Sequence, residues 1–558
     1  MRLSRLLASA AVLLLALDSQ PLAGQELSGI VRDSATRQPV PGAVVMVIDA
    51  LDGVVARHIT NQRGEFRVAL PASGKRLRVV RLGFRPRVLP VPVVNNGLAQ
   101  LDVVITAIPI TLEAVQTVVA ARCPQRNDGA AALALLEQAR TGLLATVVSR
   151  SVKPANMKRL LYDRHMDGNS ERIAHQSVRI DSATTAGSFG AERTAADFVQ
   201  HGFVQDSGGI RTFFAPDAET LLDDGFASGY CFRIMDGEPS RLRQIGLGFT
   251  VADRQRGRID IEGALWIDTV ARALVDIGFR YVGLDRPYEE FHPGGRVSFQ
   301  AMPNGVVLVD RWALRLVGVR EDTVTVRVRR LESQQRAVAR YFAQEIGGEL
   351  ARAVWNDGTR WTGALGTLRV HAVADDGLPA RHTELSLNDT GYMGATDSTG
   401  TLEIVDLLPG PYDLYVIDPD LAPLGISLQT GMTFTAARDS TVQLQLAVPT
   451  AVGYAAQECA SEQGRAGTAW ILGRVTTPDG RAVEGAKILI QKSVAFVGWV
   501  EVGEGGSTGN DGTFHNCKLG LGTLVRVIAQ HAGATDASHV QALTQRLTIF
   551  TLELKPRN

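Results

Sequence analysis

Ser507 is the residue whose setting comes nearest to a catalytic motif. Gly505-Gly506-Ser507-Thr508-Gly509 fits Gly-x-Ser-x-Gly, the spacing that lifts a serine Oγ onto a sharp strand-to-helix elbow in serine hydrolases. That elbow needs a helix after it and a following acid and histidine. The residues after Ser507 read instead as a turn and a strand, so no nucleophile is assigned. His382-Thr383-Glu384 is one residue short of the His-x-x-Glu pair of a zinc carboxypeptidase. In an expected strand both side chains would share one face and offer only weak metal binding. Adjacent carboxylates occur at Asp223-Asp224 and Glu289-Glu290, but glycosidase chemistry needs two carboxyls facing each other across a cleft. Asp33, Asp49 and Asp52 lack the Asp-x-Asp-x-Asp-Gly loop of a calcium site. No catalytic residue, metal or cofactor is expected.

Two further sets of residues carry chemistry of another kind. Lys75, Arg76, Arg78, Arg81, Arg85 and Arg87 form the densest basic run. It is a candidate patch for lipid headgroups, lipopolysaccharide or another polyanion, or a cationic strand that resists edge-to-edge aggregation. Cys123, Cys231, Cys459 and Cys517 allow three pairings. Sequence proximity favours Cys123 with Cys231 and Cys459 with Cys517. With no Cys-x-x-Cys, a zinc or redox site is not expected.

The elements around these residues read as an exported, mainly β chain. Arg2 and Arg5, the apolar run 6–17 and Pro21-Leu22-Ala23-Gly24 have the form of a signal peptide over 1–24, with cleavage expected before Gln25. Gln25 stands where a lipoprotein would need cysteine. No run reaches the 18 apolar residues of a membrane-spanning helix, so none is expected. At 558 residues the chain calls for several domains, and equal numbers of acidic and basic residues, 58 each, give no global pull toward nucleic acid.

Residues 26–106 set the pattern. Gly29-x-Val31-x-Asp33, Pro39-Val40-Pro41-Gly42-Ala43-Val44, Thr60-Asn61-x-x-Gly64-x-Phe66 and Gly83-Phe84 alternate short strands with Pro, Gly and Asn corners. This run resembles the carboxypeptidase regulatory-like domain. The resemblance implies a transthyretin-like or carbohydrate-binding-like β-sandwich, a module appended to zinc carboxypeptidases and bacterial surface proteins, with no catalytic residue of its own. Weaker copies follow at 366–447, around Thr396-Asp397-Ser398-Thr399-Gly400, and at 468–558, around Thr508-Gly509-Asn510-Asp511-Gly512. In each, a glycine precedes the next strand and supplies a left-handed turn. Residues 110–119 resemble the linker before the plug of TonB-dependent receptors, but too few residues remain for the barrel.

Between the copies, a linker at 107–126 precedes a domain at 127–362. Asn127 or Asp128 would cap a helix running to about Val148, with Ala132, Leu135, Leu136, Ala139, Leu143 and Val147 as its apolar stripe. Alternating strands and the Pro303-Asn304-Gly305 hairpin then predict a curved antiparallel sheet packed on that helix. Its Ile-x-Gly-x-Leu-Trp-Ile-Asp segment, 261–268, is similar to segments of exported proteins carrying the same N-terminal module. It also resembles lipoprotein-carrier sheets. Trp355-Asn356-Asp357-Gly358 and Trp361-Thr362-Gly363 read as a linker. The expected fold is mainly β: three small transthyretin- or Ig-like sandwiches flanking a central antiparallel-sheet domain with one packed helix. The expected function is non-enzymatic, in the bacterial periplasm, at the outer membrane or outside the cell, with an envelope glycan, lipid or protein as partner. The alternatives are a hydrolase with an unrecognised site in 123–360 and a lipid-carrier-like binder using the central sheet.

Overall fold

Short strands with Gly and Pro corners close into sandwiches when each strand has one apolar face to bury, and the chain does this three times. A computed structural model describes the protein apart from residues 1–24, 94–97, 110–122, 124–128, 167, 169–171, 185–192, 208–209, 238, 330–331, 375–376, 388–389, 418–420, 427, 449, 461–466 and 557–558. The signal segment, the receptor-like linker at 110–119 and the helix caps Asn127 and Asp128 lie outside the described residues. The described chain forms two compact units, residues 1–172 with 181–363 and residues 173–180 with 364–558.

In the first unit, strand Glu26–Asp33 pairs antiparallel with Glu65–Ala69 and parallel with Leu98–Gln100 and Val103–Ile105. The facing sheet runs Val54–Ile59, Val44–Ile48, Arg76–Val80, Arg87–Pro90. Alternation sends Leu27, Val31, Val45, Val47, Phe66, Leu77 and Val79 into the core between the two sheets. The other face of the second sheet is also buried. Val44, Met46 and Val80 pack on Ala145 and Val148 of the long helix Gly129–Val152.

That helix also lies against the central sheet, an antiparallel meander from Tyr230–Asp236 through to Glu332–Trp355, extended beyond that last strand by Ala155–Met166. Ala132, Leu135, Leu136, Ala139 and Leu143 meet Leu247, Phe249, Leu265, Ile277 and Phe279 of the sheet, as the apolar stripe requires. The helix runs to Val152, one turn past the expected end, and Pro154 stops it. It is long and apolar enough to cross a membrane, but here it is the core helix of the unit. Residues 355–363 are not a linker. Trp355 is buried at the end of its strand, and Arg360–Thr362 turns back to pair with Arg352–Val354.

The second unit holds two more sandwiches. In one, Gly366–Ala374 lies between Thr401–Leu407 and a parallel Thr441–Val448, facing a four-stranded sheet that includes Glu384–Leu387 and Gly410–Ile417. In the other, Thr468–Thr476 lies between Thr513–Gly520 and a parallel Leu547–Glu553, facing the sheet Gly498–Ser507, Lys487–Val494, Leu524–Gln530, Ala537–Ala542. The chain is therefore mainly β, with three sandwiches and a helix-packed central sheet.

Candidate functional site

The residue types that promise chemistry are used here to lock turns. In the first sandwich the buried Thr60 hydroxyl donates to the Val40 carbonyl at 2.7 Å and accepts from the Ala43 N–H at 2.9 Å. Next to it, Asn61 Oδ1 accepts from the backbone N–H groups of Arg63 and Glu65, and Gly64 turns the chain at φ +71°. The third sandwich repeats the threonine and glycine, with Gly509 in the place of Asn61 and the acceptor moved to Asp511. Thr508 donates to Val483 at 2.6 Å and accepts from Ala486 at 2.9 Å, Asp511 Oδ1 accepts from Thr513 N–H, and Gly512 has φ +76°. The second has Thr396 bonded to Ala380 and Thr383, Asp397 accepting from Thr399 and Thr401, and Gly400 at φ +76°. Phe66 and Phe514 enter their cores two residues after the glycine, and Leu402 stands half-buried at the same place in the second copy.

The other motif residues are placed as follows. Ser507 is exposed at the end of a strand, immediately before the turn threonine, and a strand rather than a helix follows. His382 has φ +54° in a turn before its strand, so strand alternation does not align it with Glu384. Asp223 caps the helix Asp224–Gly229, and Asp224 pairs with Arg140. Glu289 and Glu290 sit exposed at the end of another short helix. Asp33 and Asp49 accept from nearby backbone N–H groups, and Asp52 pairs with Arg76. Among the described residues, no three His, Cys, Asp or Glu side chains are grouped so as to hold a metal ion.

The basic run divides by strand parity. Arg76 and Arg78 share one face of strand Arg76–Val80, opposite the core-facing Leu77 and Val79. Arg87 lies opposite Val79 in the register, so it falls on the other face of the sheet. Lys75 and Arg85 are exposed beyond the strand ends. Arg81 does not belong to a surface patch. It is half-buried, and its guanidinium donates to the carbonyls of Pro41 at 3.0 Å and Arg272 at 2.8 Å, tying the first sandwich to the central domain. Burial, and then the nearby Arg272, lower its pKa to about 10.

A polar cluster that no motif announced sits where the helix end, the 302–306 hairpin and strand Val54–Ile59 meet. Lys153 Nζ donates to the Asn304 carbonyl at 2.8 Å, and Asn304 Nδ2 donates to Asp357 at 3.1 Å. Burial lowers the Lys153 pKa against the opposing pull of Asp357. Burial, and then the Lys153 charge, hold His58 down at about 4, with its Nδ1 buried and unpartnered. Residues separated by 151 positions meet here, and only the Asn-Gly hairpin had a local signal. Beside the cluster is a cavity of about 80 Å³ lined by Ser149, Lys153, Met157, Phe299 and Val307. Sites for drug-sized ligands run to roughly 300–1,000 Å³, so this one suits a few waters. The helix packs against strands Gln244–Val251, Asp260–Asp268 and Ala273–Val282 of the central sheet.

Residues 26–106 match the family model of the carboxypeptidase regulatory-like domain. The match spans the first sandwich, with its Thr60–Gly64 turn and the whole basic run at 75–87. No curated protein matches the chain in sequence. Among solved structures, the shaft pilin SpaA from Lactobacillus rhamnosus GG aligns at 9% identity over 35% of this chain and 98% of its own, with a TM-score of 0.15. The Bacillus anthracis TIE protein aligns at 10% identity over 62% of this chain and 63% of its own, TM-score 0.15. The major pilin subunit BcpA of Bacillus cereus aligns at 8% identity over 76% and 98%, TM-score 0.13. At these scores nothing further rests on the likeness.

Outside the regulatory-like domain, the cysteines join elements of their own units. Cys123 is bonded to Cys231 on the edge strand of the central sheet, and Cys459 to Cys517, each with Cα atoms 5.7 Å apart. The second bond lies in an apolar cluster with Leu421, Leu424, Ala455, Trp470 and Leu472, where helix Ala451–Glu458 packs on the third sandwich.

Proposed function

We propose that this is a non-enzymatic, exported binding or structural protein of the bacterial envelope, whose sandwiches present surface to an envelope glycan or protein. The observation that carries the reading is the repeated turn. In all three sandwiches the hydroxyl of the turn threonine and the carboxamide or carboxylate of the turn asparagine or aspartate are held in backbone hydrogen bonds. Two disulfides support export to an oxidising compartment. The matched family model supports a module attached to other activities rather than an active domain. The test is the mature chain, starting near Gln25, assayed against glycan and peptide substrates and in parallel for retention on isolated envelope. Retention without turnover is expected. Turnover that survives Ser507→Ala but is lost on a substitution within 123–360 would replace this reading with the hydrolase one.

A further inference from the structure

The hairpin joining Lys487–Val494 to Gly498–Ser507 in the third sandwich ends in Val494-Ala495-Phe496-Val497-Gly498, with Trp499 next. Phe496 is fully exposed and Val497 70% exposed. The turn is closed by Val497 N–H donating to the Val494 carbonyl at 3.1 Å, and Phe496 sits at φ +64°. That is a position for glycine or asparagine, and a bulky side chain there is strained. The fold alone would be better served by glycine, so the ring is maintained against the preference of its own backbone.

Behind the tip the side chains are ordered by depth. Trp499 is half-buried with the Arg526 guanidinium 4.2 Å from its ring centre, and Lys492, paired with the core-facing Val525, stands exposed on the other side of the hairpin two residues before the turn. The outer sheet face of Trp499 and Arg526 also carries exposed Leu524 and Val540, and the exposed Glu501 lies in the same cross-strand row as Arg526, both beside Gln491. Apolar tip, then tryptophan, then cation is the order in which a bilayer offers acyl chains, interface and anionic headgroups. A convex turn also fits a yielding surface better than a preformed pocket.

We propose that this hairpin inserts Phe496 and Val497 into the surface of a bilayer bearing anionic headgroups, with Lys492 and Arg526 at headgroup level. The proposal goes beyond the reading above and rests on it only for which membrane the protein meets. The experiment is co-sedimentation of the full mature chain with phosphatidylcholine vesicles, with and without phosphatidylglycerol, at low salt. Wild type is expected to pellet with the phosphatidylglycerol vesicles. Phe496→Gly should cut partitioning by at least about tenfold, as expected for losing one buried aromatic side chain, while the melting temperature holds or rises because glycine suits the turn. Lys492→Gln with Arg526→Gln should remove the dependence on phosphatidylglycerol. A wild-type chain that ignores both vesicles, or Phe496→Gly partitioning like wild type, would overturn the proposal. Either result leaves export and envelope binding to be decided by their own assay.

Discussion

At Gly64 a Cβ would stand 2.5 Å from the Val31 carbonyl oxygen while φ is +71°, so any side chain meets both a clash and a strained backbone. Gly64→Val is therefore expected to destabilise its unit by about 3–4 kcal/mol, measured by denaturant unfolding. Phe66→Ala, which leaves a cavity, should cost about 3–5 kcal/mol. Thr508→Val keeps the shape but strips the Val483 carbonyl and the Ala486 N–H of a buried partner, an expected loss of about 2–3 kcal/mol. Ser507→Ala, one residue earlier and exposed, should change stability by less than about 0.5 kcal/mol. His58 gives a pH signature. Its folded pKa of about 4 lies below the ordinary 6.5, so the unfolded chain binds the extra proton between those values. Its contribution to stability should be present above pH 6.5, fall as pH drops toward 4, and stay lost below. His58→Gln should flatten that part of the Tm–pH curve, and an unchanged slope would place its origin elsewhere.

Among the elements, the Cys459–Cys517 bond ties an eight-residue helix to a sandwich edge across 58 residues of chain. Closing such a loop contributes about 4 kcal/mol in the chain-entropy model. The Cys459→Ala, Cys517→Ala double variant should expose helix Ala451–Glu458 to proteolysis before the sandwich core at Ile488 and Val527. Simultaneous cleavage would mean the helix is integral to that core. The strands, the hairpin at 303–305, the helix stripe and the turn glycines were legible in the sequence because each is fixed within a few residues. What the sequence withheld was set by partners far along the chain. Arg81 reads as one more cation in a run until Arg272 caps it, and Trp355 reads as linker until Arg360–Thr362 pairs back beside it. The Lys153, Asn304 and Asp357 cluster has no local pattern at all.

On the scale of the whole molecule, the sequence divides the first sandwich, 26–106, from the domain at 127–362, but the two share helix Gly129–Val152. Val148→Asp should therefore lower the protection of amides in both Val44–Ile48 and Asp260–Asp268 in hydrogen exchange, and loss confined to one of them would mean separate folding units. The order of strands has a mechanical consequence as well. In every sandwich the first strand runs parallel beside the last, through eight residue pairs in the second copy and seven in the third. Tension applied to the two ends of such a module pulls those neighbours in opposite directions along their common axis. Their hydrogen bonds must then fail together rather than unzip one at a time. Stretched end to end in a force spectrometer, the second and third sandwiches should resist as shear clamps, and a proline at Leu444, in the middle of the Thr441–Val448 ladder, should weaken the second far more under load than at rest.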